Sequence, residues 1–520
     1  MNKFMTSLKN DSNYTYTENG AVTYKSTLNG LLDLFALGGA YRTRSDADVV
    51  TLFQKAFVED EIHALKCLFY LRDIRGGQGE RRFFRTVCKW LAREHTEAMR
   101  RNLQYVPEFG RWDDLYIFIG TPLESDAFAL MRKQLVLDTK CNTPSLLAKW
   151  LKSENTSSAE SRRLAEKTRK YFGMTCRQYR KTLSILRERI RVLERLMSAG
   201  RWDEIEFDKI PSKAGMVYKN AFARHDLERM KSDKAVQSYE DFAKDKNTKV
   251  NAKSLYPYEV VKEAMAFGNG SWGRYYNRGR KSQALDNTER LMVNKYWENL
   301  ADYFKGCTFN GICVADTSGS MYGDPMAVAL SIAMYCAERN KGEFANHFFT
   351  FSDDPTFVEI EGVDFVDRIN RMVRNDWGGS TNVEAVFDKM LDVARRNHCS
   401  QDEIPASVII ISDMEFNSCV CGNGHSTRYS RWGRWEDSTA ANETLFETIE
   451  KRWKVAGYKM PNLVFWNVQA RQNNIPMRVS GHVSYVSGFS PVIFEQVLKG
   501  VTAYDLMFDK LDSERYACIH

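Results

Sequence analysis

Apolar and polar positions follow two patterns along this chain, and the change between them falls near residue 306. From about Leu31 to Leu300, apolar residues recur at steps of three and four, the period of helices that bury one stripe. EIHALKCLFYL at 61–71 carries that period. Leu183, Leu186, Ile190, Leu193 and Met197 continue it as one stripe of a single predicted helix, with Arg187, Glu188, Arg189, Arg191, Glu194 and Arg195 on its other faces. Ser45 followed by Asp48 reads as a capping box ahead of VVTLFQKAF. Short punctuations, RGGQG at 75–79, PEFG at 107–110 and IPSKAG at 210–215, separate the helices. Helix pairs joined by short turns predict an all-helical, HEAT-like repeat, a ring or solenoid, over 29–305. Residues 1–28 are polar, rich in Asn, Thr and Tyr, and without a sustained period. They are expected to form a flexible N-terminal arm.

Beyond residue 306 the runs become short and β-rich: GICVA at 311–315, VIIIS at 408–412 and NLVFWNV at 462–468. Helical patterns such as PMAVALSIAMYCAER and TNVEAVFDKMLDVARR lie between them. Strands alternating with helices predict βαβ units and a doubly wound, mostly parallel sheet over 306–500, with a helical tail at 501–520. The unbroken run Val408–Ile411 suits a central strand covered on both faces. The fold class expected is therefore all-helical followed by α/β.

Composition narrows the classes. At 520 residues, with 43% hydrophobic and 27% charged positions, the chain is neither a disordered tract nor a disulfide mini-scaffold. No apolar run reaches the ~18 residues of a spanning helix. The first 20 residues lack an apolar signal-peptide core, and eleven scattered cysteines fit reduced thiols, so a cytoplasmic location is expected. The net charge of +7 hides a split: residues 1–300 hold 53 Lys and Arg against 38 Asp and Glu, whereas residues 301–520 hold 21 against 29. A basic first part able to meet polyanions would then be joined to an acidic second part, although such a surplus is also what a solvated surface carries.

The sharpest chemical signal is ICVADTSGSM at 312–321, where an apolar strand ends in Asp316 and places Ser318 and Ser320 in the turn that follows. The carboxyl ends of strands in an open α/β sheet are where ligands bind. One carboxylate and two hydroxyls are oxygen donors of the kind that a hard cation such as Mg²⁺ takes. GGSTN at 378–382 adds Thr381, and VIIISD at 408–413 adds a second strand-end carboxylate, Asp413. Taken alone, Asp316 and Ser318 could instead cap a helix. The ordered set of all five resembles the metal-ion-dependent adhesion site of von Willebrand factor A domains. That resemblance implies a Rossmann-like fold over 306–500 that holds Mg²⁺, or another divalent cation such as Mn²⁺. Ser318, Ser320 and Thr381 would touch it directly or through water, and Asp316 and Asp413 largely through water. It also implies an open coordination position for an acidic side chain of a protein partner, a binding device rather than a catalyst.

In the helical part, DIRGGQGERRFFR (73–85), VPEFGRWDDLY (106–116), PSLLAKW (144–150), RWDEIEFDKIPSKA (201–214), AFARHD (221–226) and LYPYEVV (255–261) occur in order. Together they resemble a family related to the Ro autoantigen, which joins a TROVE helical module to a von Willebrand factor A domain. That resemblance implies RNA as a partner. SWGRYYNRGRK at 271–281 supports it from the residues: Trp272, Tyr275 and Tyr276 alternate with Arg274, Arg278, Arg280 and Lys281, so aromatics can stack on unpaired bases while arginines neutralise phosphates. The alternative is that Trp272 and Tyr275 anchor a core. Residues 151–200 add 13 Lys and Arg against 5 Asp and Glu.

Other motifs lead nowhere. GNGSWG at 268–273 has the spacing of a dinucleotide loop but follows a helical stretch. GGQG at 76–79 reads as an interhelical turn rather than an anion nest. Cys419, Cys421 and His425 fit no standard zinc spacing, and His63 sits among apolar neighbours as a satisfied core histidine. With no nucleophile–base pair and no nucleotide loop in the sequence, the expectation is a non-enzymatic RNA-binding scaffold, soluble rather than membrane-bound. The alternative is a protein–protein adaptor that uses the metal site, for example with an ATP-driven remodelling machine, without nucleic acid.

Overall fold

The structure, a computed structural model, describes residues 12–231, 236–252, 255–268, 271–276, 287–305, 307, 309–351, 355–373, 381–418 and 444–520, with the backbone alone for Ser271 and Trp272. It contains helices together with a six-stranded, mainly parallel sheet. Two compact units emerge. One takes in Met1–Ala64, Tyr256–Gly279 and Asp302–Ser513; the other takes in Leu65–Leu255, Arg280–Ala301 and Glu514–His520. This division cuts across the expected boundaries at residues 28, 305 and 500. Helical period reports that a stripe is buried but not which core it faces.

The first unit is built on strands β3 (Gly311–Asp316), β4 (His347–Phe351), β5 (Thr356–Glu359), β6 (Ser407–Ser412), β7 (Asn462–Asn467) and β8 (Val483–Ser487) in the order β5-β4-β3-β6-β7-β8. All neighbours pair in parallel except β5, an antiparallel edge strand. Val408–Ile411 are fully buried, as a strand covered on both faces requires. The helix Asp324–Arg339 lies against β3, β4 and β6 and is buried at every position from Met326 to Ala337. Its start is marked by Pro325 in the first turn and by Gly323 at φ +101°, a backbone angle that glycine adopts without a Cβ penalty.

Segments that read as part of the helical repeat belong here too. Helix Gly30–Leu37, buried throughout, packs on β8 and on helix Ala503–Leu511. Gly39 N donates to Ser487 Oγ at 3.0 Å, and a Cβ at Gly39 would lie 2.8 Å from the Ser487 carbonyl oxygen. Helix Pro257–Met265 packs on helix Asp324–Arg339. The described part of the expected N-terminal arm is also bound. Strands β1 (Tyr14–Tyr16) and β2 (Val22–Tyr24) form an antiparallel hairpin, Tyr24 bridges to Ile475, and Gly20 bridges to Asn417. Strands of three residues are too short to leave a period in the sequence.

His63 is satisfied but not buried in a core: Nδ1 meets Asp60 Oδ2 at 2.7 Å and Nε2 meets Asp512 Oδ1 at 3.0 Å, with its side chain 23% exposed. The Ser45–Asp48 capping box is present as expected.

The second unit, as described, is helical. The stripe read as one helix through Met197 is broken. Helix Cys176–Arg189 stops, Arg191 takes φ +48°, Val192 N donates back to Arg187 O at 3.1 Å, and a new helix runs over Leu193–Ser198. This is a Schellman-type ending, with arginine in the left-handed position glycine usually fills. The Arg191 guanidinium is held there by Glu206 Oε1 at 3.1 Å and Glu204 O at 2.9 Å, contacts from outside the stripe.

RGGQG is an interhelical turn, as read. A Cβ on Gly77 would sit 1.9 Å from Tyr70 O, so that position excludes every other residue, and the buried Gln78 amide donates to the Tyr70 hydroxyl at 2.6 Å. Beside the turn, Arg72, 2% exposed, places Nε and Nη2 at 3.0 and 2.6 Å from Oδ2 of the fully buried Asp114. Burial works to raise the Asp114 carboxyl, but the Arg72 and Arg85 guanidiniums outweigh it and hold the group below the usual carboxylate range. Removing one partner of such a pair leaves an uncompensated buried charge. Asp114→Asn is therefore expected to destabilise the protein by about 3–5 kcal/mol in urea unfolding, and an unchanged midpoint would contradict the role given to the pair.

Candidate metal centre

The site grows out of the sheet's register. β3 and β6 are adjacent and parallel, with Ala315 opposite Ile411, so the next residue pair is Asp316 and Ser412, followed by Asp413. Apolar side chains below them force these polar groups to the carboxyl rim, where the chain leaves the sheet. Asp316 is fully buried, Asp413 is 1% exposed and Ser318 1%.

Asp316 Oδ2 accepts from Ser412 Oγ at 2.6 Å, and Oδ1 accepts from the Ser318 backbone N–H at 2.9 Å. Ser318 Oγ and Ser320 Oγ are 3.0 Å apart. Asp413 Oδ1 accepts from Glu415 N at 3.2 Å, and Ser320 lies close enough to Asp413 to steady its charge. Asp413 Oδ2 is buried without a hydrogen bond of ordinary geometry; Arg471 Nε stands 3.6 Å away. Thr381, 4% exposed, reaches the same rim by a different route. Its hydroxyl accepts from Asn19 Nδ2 at 3.1 Å, the same Asn19 amide donates to Glu415 O at 2.5 Å, and Asn417 N donates to Thr381 O at 3.3 Å. Four of the five expected residues thus form one group linked by hydrogen bonds and charge, and Thr381 is tied to the loop that leaves Asp413.

Burial, and then the charge of Asp413, push the Asp316 carboxyl up to about 7. Burial likewise raises Asp413, against the help of Ser320 and Arg471. Burial and the charges of Asp413 and Glu18 push Glu415 up to about 7. Sequence reading did not anticipate Ser412, Glu415, Glu18, Asn19 or Arg471. Ser412 and Glu415 flank Asp413 and could have been suspected from SDME at 412–415. Glu18 and Arg471 approach only through the fold. Glu18 N donates to Glu415 Oε2 at 2.7 Å, while Arg471 spans Glu18 Oε2 at 3.3 Å and Ser320 O at 2.6 Å.

Among the described residues, no three His, Cys, Asp or Glu side chains gather as a metal-binding group. The candidate rests instead on two carboxylates with hydroxyls, a donor set suited to Mg²⁺, which keeps several waters and needs only one or two carboxylates. The orphaned Asp413 Oδ2 and the surplus of buried negative charge fit such an ion.

The predicted nucleic-acid segment is partly within view. Arg274 is exposed. Tyr275 packs edge-on against Tyr322 at 4.8 Å between ring centroids, and Tyr276 OH donates to Gly323 O at 2.8 Å. Both tyrosines are thus held by neighbours in the same unit. Arg278, Arg280, Lys281, Cys419, Cys421, His425 and the Trp272 side chain lie outside the described residues. Among the described residues, nine cysteines are free thiols and no helix is long and apolar enough to cross a membrane.

Two family models match the chain, each described as a domain of unknown function: DUF2828 over residues 17–146 and 133–307, and DUF7788 over 310–514. An uncharacterized protein of Acanthamoeba polyphaga mimivirus is 30% identical over an alignment that covers 94% of this chain and 85% of that protein. The crystal structure of the Deinococcus radiodurans Ro (RSR) protein superposes with a TM-score of 0.44 at 14% identity, covering 94% of this chain and all of that one.

The raised carboxyls have a consequence for stability without added cation. A carboxyl whose folded pKa lies above its unfolded value contributes stability that is complete below the unfolded value and is lost as pH rises through the folded one. For Asp316 and Glu415 that window runs from about 4 to about 7. In EDTA the thermal midpoint should fall across this range, and Asp316→Asn should flatten the fall. Parallel curves for the two proteins would contradict the assignment.

Proposed function

This chain belongs to the DUF2828 family, whose defining domain is of unknown function, and we propose that it acts as a non-enzymatic RNA-binding scaffold carrying one divalent cation on its sheet unit. We read that unit as a von Willebrand factor A-like domain and the helical unit as a HEAT-like, TROVE-like repeat. The observation that carries the cation is the pair of buried carboxylates, Asp316 and Asp413, at the carboxyl ends of adjacent parallel strands, with Asp413 Oδ2 lacking a hydrogen bond.

In this reading Ser318, Ser320 and Thr381 hold Mg²⁺ or Mn²⁺ by their hydroxyls, and Asp316 and Asp413 hold it largely through waters. The ion supplies positive charge to a rim of carboxylates and an electrophilic position for an acidic side chain of a protein partner. The residues of the chain orient it: Ser412 and the Ser318 N–H fix the Asp316 carboxylate, and Glu415 N fixes that of Asp413. The motifs of the helical half, the basic surplus of residues 1–300 and the exposed Arg274 support RNA as the polyanion.

Asp316→Ala should abolish Mn²⁺ binding measured by calorimetry while circular dichroism and the unfolding transition are kept. Retained binding by the folded variant would remove the metal reading. For RNA, charge reversal at Arg274, Arg278 and Arg280 should weaken binding of a single-stranded oligonucleotide. The slope of log affinity against log salt should shrink by about 2, at about 0.7 for each phosphate that the variant leaves without its arginine. Unchanged affinity and slope would exclude the segment.

A further inference from the structure

The helical unit holds a second site of opposite sign. At the start of helix Arg81–Glu94, Arg81 and Arg85 stand one turn apart, and Arg111 reaches the same place from the chain ahead of Asp113 and Asp114. All three guanidiniums crowd one carboxylate oxygen. Asp113 Oδ2 receives Arg81 Nη2 at 2.6 Å, Arg111 Nη2 at 3.1 Å and Arg85 Nη2 at 3.3 Å. Arg85 also places Nε 2.6 Å from Asp114 Oδ1, and Arg111 places Nε 3.0 Å from Asp113 Oδ1.

The charges do not balance. Asp114 is already neutralised by the buried Arg72, so Arg81, Arg85 and Arg111 share what is left of two carboxylates, an excess of two positive charges over the four arginines. If the cluster served only to lock helices together, this excess would be a cost, because like charges at such separations repel. The geometry is that of donors left over. Arg85 and Arg111 each spend Nε and Nη2 on the aspartates, Arg81 spends Nη2 and keeps Nε 3.6 Å from Asp114 Oδ1, and Nη1 of each has no hydrogen-bond partner among the described residues. The side chains of Arg81, Arg85 and Arg111 remain 42%, 29% and 26% exposed, whereas Asp113 is 6% exposed. Arg111 is further fixed by the Trp150 ring, 4.0 Å below its guanidinium. Buried aspartates thus pre-set three partly exposed guanidiniums around Asp113 Oδ2, which lowers the ordering cost that a flexible arginine pays on binding.

We propose that Arg81, Arg85 and Arg111 form a binding site for a phosphate group. A tetrahedral oxyanion presents several acceptor oxygens to the three free Nη1 groups and carries the one or two negative charges the cluster lacks. A small phosphate compound and the backbone of a polynucleotide share this chemistry. The site therefore extends the RNA reading above but does not depend on it.

The test uses the full-length protein with two probes, inorganic phosphate and a fluorescein-labelled 20-nucleotide single-stranded RNA. Phosphate at 10 mM should raise the thermal midpoint of the wild type above that in chloride of equal ionic strength. The double variant Arg81→Gln, Arg111→Gln should lose that rise. If the physiological phosphate is that of a polynucleotide, the variant should also bind the RNA about tenfold more weakly, with a shallower salt slope. Loss of the phosphate response with RNA binding intact supports the site and assigns it to a small phosphate compound. A wild-type response no larger than that to chloride, or a folded variant that keeps both responses, overturns the proposal. RNA binding that persists unchanged alongside a retained phosphate response does so while leaving the RNA reading in place. Should the double variant not fold, Arg81→Gln alone, at the most exposed of the three, carries the same test.

Discussion

Two carboxylates kept out of water at the rim of one sheet set the terms for the sheet unit. Asp316 is the last residue of β3 and Asp413 follows the last residue of the adjacent parallel β6, and both are buried where the strands end. Burying a single ion costs several kcal/mol unless it is paired and hydrogen-bonded, and burying two of like sign side by side adds their repulsion. The surroundings are arranged around that cost. Ser412, the Ser318 N–H and Glu415 N supply hydrogen bonds, and one guanidinium, Arg471, is divided between Asp413, Ser320 and Glu18. Those contacts steady the carboxylates but leave Asp413 Oδ2 without a hydrogen bond, and the nearby Glu415 adds to the negative charge. A divalent cation is the group that would answer both deficits at once.

The helical unit meets the mirror problem. There the buried carboxylates are the fixed points and the arginines are in excess, so the spare valence points toward an anion. In both places the fold forces formal charges together, completes some of the pairs and leaves a remainder of one sign. Buried ion pairs are weak evidence of stability by themselves, and it is the imbalance that is informative.

Much of this was legible along the chain, and the failures have a common cause. The strands at 311–316, 407–412 and 462–467 were visible because parallel strands buried on both faces are continuous apolar runs. Asp316 and Asp413 were visible because each ends such a run, and Ser318 and Ser320 because they share a turn with Asp316. What could not be read were partners supplied from far away. Glu18 and Asn19 reach the rim across about 400 residues of chain, and Arg471 comes from the segment beyond β7. The hairpin of β1 and β2 was missed because three residues carry no period. The single helix drawn through Ile190 was wrong because Arg191 is held in a left-handed conformation by Glu204 and Glu206, a tertiary contact that overrides an unbroken apolar stripe. Helices Gly30–Leu37 and Pro257–Met265 carry the helical period and group with the sheet unit, since periodicity is silent about the partner.

Whether the carboxyl rim of β3 and β6 is a cation site is tested most directly by anomalous diffraction from crystals grown with Mn²⁺. One strong anomalous peak per chain is expected within coordination distance of the Ser318 and Ser320 hydroxyls, with Asp413 turned toward it directly or through water and Arg471 displaced from that carboxylate. Crystals in which Arg471 remains on Asp413, with no manganese signal at the rim, would contradict it.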